Sequence, residues 1–424
     1  MDATDVVPPP EEHAAMPRST LRLSRTRRVV GVVVLAVAAA LMSPVTTARA
    51  AGFYDPPNPV TASPGAVLKA EPMTFYVDPL GAVPSTARAT RVMYATRDRR
   101  GAPIAVTGTV LVPLVPWVGA GQRPVIGYAA GTQGMGDQCA PSRQLAAGSE
   151  YEGAFISGLL TRGYAVAMTD YQGLGTPGTH TYMVREAQAH AVLDMVRATQ
   201  RLSGTGLPTN GPVMLAGYSQ GGGATAAAVE LAPSYAPELR LEGAVAGAVP
   251  AELGAVADHL DGSLYSAFAL YAVAGQSAAY GVDLDSFLNA RGTSVIAAVK
   301  GECVAESIAL HAFTRSSDLT RDGRSLTELA ASEPFRSIIA DQRIGRLKPA
   351  VPVLVTHSVL DDVIPYAVGR GLARDWCDRG ANVAFSANIT PTHVGGAVPS
   401  FAKQYAFLEA RVSGLPQVSD CWWL

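Results

Sequence analysis

The ten residues Val213-Met214-Leu215-Ala216-Gly217-Tyr218-Ser219-Gln220-Gly221-Gly222 decide how this chain is read. The apolar run 213–216 is too short for a helix and suits a buried strand. Residues 217–221 have the form G-x-S-x-G, and an Ala-rich stretch over 222–231 follows with helical character. A serine between a strand and a helix sits on a sharp turn with strained backbone angles. Glycines on either side relieve the crowding that larger side chains would cause there. The hydroxyl then projects into a cleft, above a helix N-terminus, as a nucleophile should.

Outward from that turn the same alternation recurs. Short apolar runs at 125–129, 164–169, 244–249, 351–356 and 383–389 are separated by helix-length stretches. The clearest helix spans about 183–202, where Val184, Ala187, Ala191, Met195, Ala198 and Leu202 make one apolar stripe. Strands that are apolar throughout predict a mostly parallel α/β sheet with helices on both faces. Residues 91–97 and 102–112, joined by Asp98-Arg99-Arg100-Gly101, predict a hairpin. Residues 51–72, with Pro56-Pro57-Asn58-Pro59, read as an extended arm over the surface. One interval breaks the alternation. Residues 250–347 carry no convincing strand, but have apolar residues at helical spacing: Leu264, Phe268 and Tyr271, then Val295, Ile296 and Val299. A helical insertion is expected on top of the sheet, with Asp258, Asp261 and Asp283 toward water, where a cap over an active site would sit.

A serine nucleophile needs a base, and the base needs a carboxylate to orient it. On a strand–turn–helix scaffold of this kind the chain order is serine, acid, histidine. The run 351–356 leads into Leu360-Asp361-Asp362-Val363-Ile364-Pro365, and the run 383–389 into Thr392-His393-Val394-Gly395-Gly396. Asp361 or Asp362 can serve as the acid. Of the seven histidines, His393 alone lies in the loop after the last strand. The developing oxyanion needs main-chain donors. One is the amide of Gln220; the other should come from the loop Ala130-Gly131-Thr132-Gln133-Gly134, where Thr132 is preferred over its neighbour Gln133. No H-E-x-x-H or Cys/His cluster points to a metal, and no G-K-[ST] follows the Gly-rich loop. No cofactor or metal is expected.

The chain has 424 residues, of which 48% are hydrophobic and only 16% charged. That excludes a disordered polyelectrolyte. Lys+Arg 33 against Asp+Glu 35 leaves no basic excess, so nucleic acid is not expected as a partner. Arg22, Arg25, Arg27 and Arg28 precede an apolar run over 29–42, and Ala48-Arg49-Ala50 follows. This is the layout of a secretory signal peptide over 1–50, its apolar run short of the ~20 residues a membrane span needs. A secreted protein is expected, free or associated with the cell surface, with no stable membrane span after processing. The first 50 residues hold six arginines and four acids, so the remaining 374 carry a net charge of −4. Export makes the four cysteines candidates for disulfides, with three possible pairings. The expected organisation is a signal segment 1–50, core 51–249, helical cap 250–347 and core 348–424.

Six stretches together resemble the secretory lipase family. They are residues 129–134, Cys139-Ala140-Pro141-Ser142, Asp170-Tyr171-Gln172-Gly173-Leu174-Gly175, residues 217–222, residues 361–365 with Trp376-Cys377, and residues 392–396. The likeness covers about residues 53–424. It implies a secreted α/β-hydrolase fold cleaving triacylglycerols or other esters, with Ser219 as nucleophile, His393 as base and Thr132 as first oxyanion donor. The family acid stands four residues before the proline, which selects Asp361 and leaves Asp362 exposed beside it. The family disulfides map to Cys139–Cys303 and Cys377–Cys421. Ser358 stands where relatives often carry glycine. The function expected is a serine esterase, foremost a triacylglycerol lipase, with a lipid or other ester as substrate. The alternatives are an exported peptidase, a polyester or phenolic-ester hydrolase, and a catalytically silent surface-binding protein on the same fold.

Overall fold

Each apolar run becomes a strand of one sheet in the computed structural model, which describes residues 52–78 and 81–424. The signal peptide expected over 1–50 lies outside those residues. The strands are β1 (Val67–Met73), β2 (Ala87–Arg97), β3 (Pro103–Pro113), β4 (Val125–Ala129), β5 (Ala165–Thr169), β6 (Val213–Tyr218), β7 (Leu241–Gly247), β8 (Val353–Ser358) and β9 (Val383–Asn388). Their spatial order is β1-β2-β3-β5-β4-β6-β7-β8-β9. From β5 across to β9 every pairing is parallel. The first three strands and the β3–β5 junction are antiparallel. Strands β4, β5, β6 and β8 are buried along their whole length, which is why they read as unbroken apolar runs.

Two layers of helices cover the sheet. On one face lie α3 (Arg185–Arg201), α4 (Gln220–Tyr235) and α11 (Tyr366–Asp378). The indole N–H of Trp376 in α11 donates to Glu230 in α4 at 2.9 Å, a buried bond that joins these two helices. On the other face, Phe401 and Tyr405 of α12 (His393–Val412) stack on Phe155 of α2 (Gly153–Thr161). A short α1 (Pro141–Ala147) precedes α2.

The arm expected over 51–72 needs correction. Residues from Val67 onward form the edge strand β1 on β2. Only its start is an arm, held by Lys69, whose ammonium donates to the carbonyls of Gly52, Phe53 and Asp55. Only the second half of this strand alternates in burial, too short a pattern to mark it in the sequence. The expected hairpin is present. Asp98 in its turn accepts the amides of Arg100 and Ala102, both at 2.8 Å.

Between β7 and β8 the chain has helices only: α5 (Leu253–Leu260), α6 (Ser266–Tyr280), α7 (Ala290–Val299), α8 (Val304–His311), α9 (Leu326–Ala330) and α10 (Phe335–Asp341), with short 3₁₀ turns. They keep a satellite core of their own. Leu270, Tyr271, Leu288, Ile296, Val299 and Leu319 pack there with Met135, Tyr182 and Met183 from the sheet side. Asp258 and Asp283 face water as expected. Asp261 instead turns inward and accepts from the amide and hydroxyl of Ser316. The disulfide Cys139–Cys303 ties this helical region to the segment between β4 and α1, and Cys377–Cys421 ties α11 to the C-terminal tail.

Candidate active site

Ser219 stands at the β6–α4 junction with φ 60° and ψ −123°. Such angles in a non-glycine residue cost roughly 1–3 kcal/mol and persist only when the surroundings fix them. Here the Ser219 amide donates to the Gly247 carbonyl at 3.0 Å. The flanking glycines let strands and helix come close. A Cβ on Gly221 would lie 2.0 Å from the Ala129 carbonyl oxygen, and one on Gly217 would lie 2.4 Å from that of Gly221. The elbow is therefore wedged against the end of β4, from which the loop 130–134 departs.

The loops after β8 and β9 are stitched together beside it. Ser358, the position where relatives often carry glycine, donates its hydroxyl to the Thr390 carbonyl and accepts the Leu360 amide. The Thr392 amide reaches back to the Leu360 carbonyl. This brings Asp361 Oδ2 to 2.8 Å from His393 Nδ1. The second oxygen of Asp361 accepts the amides of Val363 and Ile364 at 2.9 and 2.8 Å, which fixes the carboxylate plane. Burial works to raise the Asp361 carboxyl. The bond and charge of His393, with the Ile364 amide and the nearby His357, outweigh it and hold it below the usual carboxylate range. With Nδ1 engaged, Nε2 of His393 is the ring nitrogen left for a reacting group; within the described residues it makes no hydrogen bond. Tyr218, the neighbour of Ser219, donates its hydroxyl to the His393 carbonyl at 2.8 Å and lays its ring 5.0 Å from the imidazole.

Asp362 differs from expectation. It is half-buried, and its Oδ1 accepts the His393 main-chain amide at 2.8 Å. The two neighbouring aspartates thus divide one histidine, Asp361 holding the ring and Asp362 the backbone. His357 is the next-to-last residue of β8. It is fully buried, with Nε2 3.0 Å from the Ile364 carbonyl and 3.5 Å from Asp361 Oδ2. Burial keeps its basicity below that of a free imidazole.

Across the elbow, the loop after β4 is held from several sides, its Gln133 carbonyl by the Val304 amide at 2.9 Å. The Ala130 carbonyl accepts Tyr171 Oη, the Gly131 amide donates to Glu152, and the Thr132 carbonyl accepts Tyr151 Oη. The Thr132 hydroxyl meets Tyr182 Oη at 2.7 Å, and the Gln133 side chain donates to Glu150. The amide of Thr132 donates to no protein group among the described residues, and that of Gln220 opens α4, where helical amides have no internal acceptor. Gln220 is itself steadied by His180. The His180 Nδ1–H donates to the Gln172 carbonyl, so Nε2 accepts the Gln220 amide group at 3.1 Å. Burial pushes His180 down to about 4, which keeps it neutral and able to accept.

The cleft at Ser219 is walled by apolar side chains. Leu253, Val256, Ala257 and Leu260 of α5 and Phe268, Ala269 and Ala272 of α6 face Val363, Ile364 and Pro250. Leu253, Ala257, Ala269 and Ala272 also line a second, almost wholly apolar cavity inside the helical region, bounded by Leu288, Phe287, Leu319 and Ile338. Of Leu264, Phe268, Tyr271, Val295, Ile296 and Val299, only Phe268 borders the cleft. Tyr271 is buried in the satellite core, and Leu264 is exposed. Among the described residues no group of three or more His, Cys, Asp or Glu could hold a metal ion, and no helix is long and apolar enough to cross a membrane.

Comparison with known proteins gives consistent results. A family model described as secretory lipase matches residues 140–420. A secreted triacylglycerol lipase of Malassezia globosa is 28% identical over 387 residues, covering 87% of this chain and 80% of the relative. A Mycobacterium tuberculosis protein described as a probable inactive lipase is 29% identical over 382 residues, covering 86% and 82%. The crystal structure of Candida antarctica lipase A superposes with a TM-score of 0.75 at 24% identity, covering 87% of each chain. At that identity the likeness establishes the α/β-hydrolase fold.

Proposed function

Because the chain belongs to the secretory lipase family, a family of secreted carboxylic ester hydrolases, we propose that it cleaves acylglycerols through an acyl-enzyme on Ser219, His393 and Asp361. The observation that carries this reading is the 2.8 Å bond from Asp361 to His393 Nδ1, set beside a serine on a positive-φ elbow. Asp361 fixes the tautomer with the free electron pair on Nε2. As Ser219 Oγ attacks the ester carbonyl carbon, Nε2 takes its proton and the carbonyl pair moves onto oxygen. The amides of Thr132 and Gln220 receive that charge. Collapse of the intermediate breaks the bond to the alcohol oxygen, which leaves with the proton from Nε2. Water, deprotonated by the same nitrogen, then releases the acid.

The helices between β7 and β8 act as a cap, and the acyl chain lies in the apolar cleft beneath α5 and α6. The residues shared by the cleft and the inner cavity give a route by which a long chain extends into the cap. Burial there favours acylglycerols over peptides. The relative described as inactive makes a silent protein the reading to exclude first. Labelling with a fluorophosphonate, then a panel from short soluble esters to triolein emulsions, tests both points. Wild type is expected to carry the label on Ser219 and hydrolyse the panel. Ser219→Ala should lose label and lose turnover by about 10⁴-fold or more while remaining folded. A folded Ser219→Ala protein retaining a tenth of wild-type turnover would overturn the assignment.

A further inference from the structure

Three of the groups that hold the loop carrying Thr132 come from one tripeptide, Glu150-Tyr151-Glu152, to which nothing above gives a role. Glu152 is the centre of this grip. It is buried, its Oε2 accepts the Gly131 amide at 2.8 Å, and its Oε1 accepts Tyr128 Oη at 2.7 Å. The peptide plane between Ala130 and Gly131 is thereby held at both ends, its carbonyl by Tyr171 and its N–H by Glu152. The carbonyl of Thr132, in the plane between residues 132 and 133, is held by Tyr151. Between them lies the plane that bears the Thr132 N–H. Among the described residues it has no hydrogen bond of its own, so its direction follows from the two anchored planes. Its hinge on one side is a glycine, whose backbone turns freely unless something stops it.

We propose that Glu152 is the positioning residue of the oxyanion hole, locking Gly131 so that the Thr132 amide stays aimed at the carbonyl oxygen of the substrate. This rests on the reading of Thr132 as an oxyanion donor. The chemistry of the side chain suits the task. A carboxylate has acceptor sites for both an amide and a phenol, whereas a neutral amide side chain must turn its NH₂ toward one of those two donors. Burial raises Glu152 to about 7, and the only opposing contributions are its two hydrogen bonds. Its neighbour Glu150, also buried, holds Gln133 and is pushed well above its ordinary range by burial and by Glu152. Among the described residues no cation pairs with either acid, so both depend on hydrogen bonds to the loop and its surroundings to offset their burial.

The test compares wild type, Glu152→Gln and Tyr128→Phe at pH 8 on a short soluble p-nitrophenyl ester. Each is also titrated with a trifluoromethyl ketone of matching chain length, which adds Ser219 Oγ and places an oxyanion in the hole. Glu152→Gln is expected to lower kcat by about 10- to 100-fold with KM unchanged, a part of the full 10²–10³ worth of one oxyanion donor. Affinity for the ketone should fall by the same factor. Tyr128→Phe, which frees one side of the carboxylate, should show the same pattern at a few-fold. If either folded variant keeps wild-type kcat and ketone affinity, or loses substrate affinity without losing kcat, Glu152 is structural and the proposal fails. If Glu152→Gln does not fold, Tyr128→Phe decides alone. Should wild type itself take neither ketone nor fluorophosphonate, the serine reading fails with it; a wild type that takes both, beside unchanged variants, overturns Glu152 only.

Discussion

At the scale of single residues, the division of labour between Asp361 and Asp362 is the sharpest consequence of the geometry. Both touch His393, but only Asp361 touches the ring. Asp361→Asn presents the imidazole with the wrong partner and is expected to lower kcat by about 10⁴-fold. Asp362→Asn keeps an oxygen for the His393 amide, so its loss should stay below about tenfold. Steady-state kinetics of the two purified variants check this; a more damaged Asp362→Asn would reverse the assignment. His180 offers a second test, read in stability. Its folded basicity lies near 4, and an unfolded histidine titrates near 6.5. Between those values the unfolded chain binds a proton that the folded one refuses, so this group makes stability rise with pH from about 4 to 6.5 and fall on acidification. Replacing His180 by Asn removes that slope, worth at most about 3 kcal/mol across the window. Urea melts at pH 4.5 and 7 should show a smaller acid-side loss in the variant; equal losses would contradict a buried neutral imidazole.

At the level of elements, α5 and α6 supply most of the apolar wall of the cleft at Ser219. The cleft wall they supply is apolar, and burying a methylene there is worth ~0.8 kcal/mol, or about a three- to fourfold gain in kcat/KM per added carbon. That gain should continue until the chain fills the available space. Phe268→Asn sets a polar group against the chain and should flatten the gradient across C4 to C12 esters, with kcat on the shortest ester little changed. An unchanged gradient accompanied by lower stability would make α6 packing rather than pocket. Tyr271, one turn on, belongs to the satellite core, so Tyr271→Phe should leave chain-length preference as in wild type. The sequence set Phe268 and Tyr271 together because both sit on the apolar side of one helix. Which of them meets the cleft depends on how α6 is rotated over α5, and that is a packing outcome.

At the scale of the whole molecule, two disulfides close long loops around a sheet that is already well buried. Cys377 and Cys421 are 44 residues apart, and the chain-entropy model gives about 4 kcal/mol for such a closure as an upper figure. The double substitution of both by serine should therefore lower stability by ~2–4 kcal/mol in a denaturant melt while leaving short-ester kcat nearly intact. No loss of stability would show that the tail Trp422-Trp423-Leu424 holds α11 without the bond. Cys139–Cys303 has a different reach, since it joins the segment after the loop 130–134 to the helical region between β7 and β8.

The central strands, the turn at Ser219 and the helical region between β7 and β8 were legible in the amino-acid sequence alone. A parallel strand buried on both faces must be apolar along its length, and a nucleophile elbow must place glycines where backbones touch, so β4, β6, β8 and the Ser219 turn were written in composition and spacing. His393 was legible because only one histidine follows the last strand. The hundred residues without a strand marked the helical region for the same reason in negative. Tertiary structure alone decided the rest. Edge strand β1 has one open side and half an alternation, too little to distinguish from an arm. The role of Asp362, the burial of His357 and His180, and the grip of Glu152 on Gly131 all depend on groups meeting across loops 4 to 40 residues apart in the chain. Local propensity carries no signal for such pairs, because what fixes them is the burial of polar groups that must each find a partner once the sheet has closed.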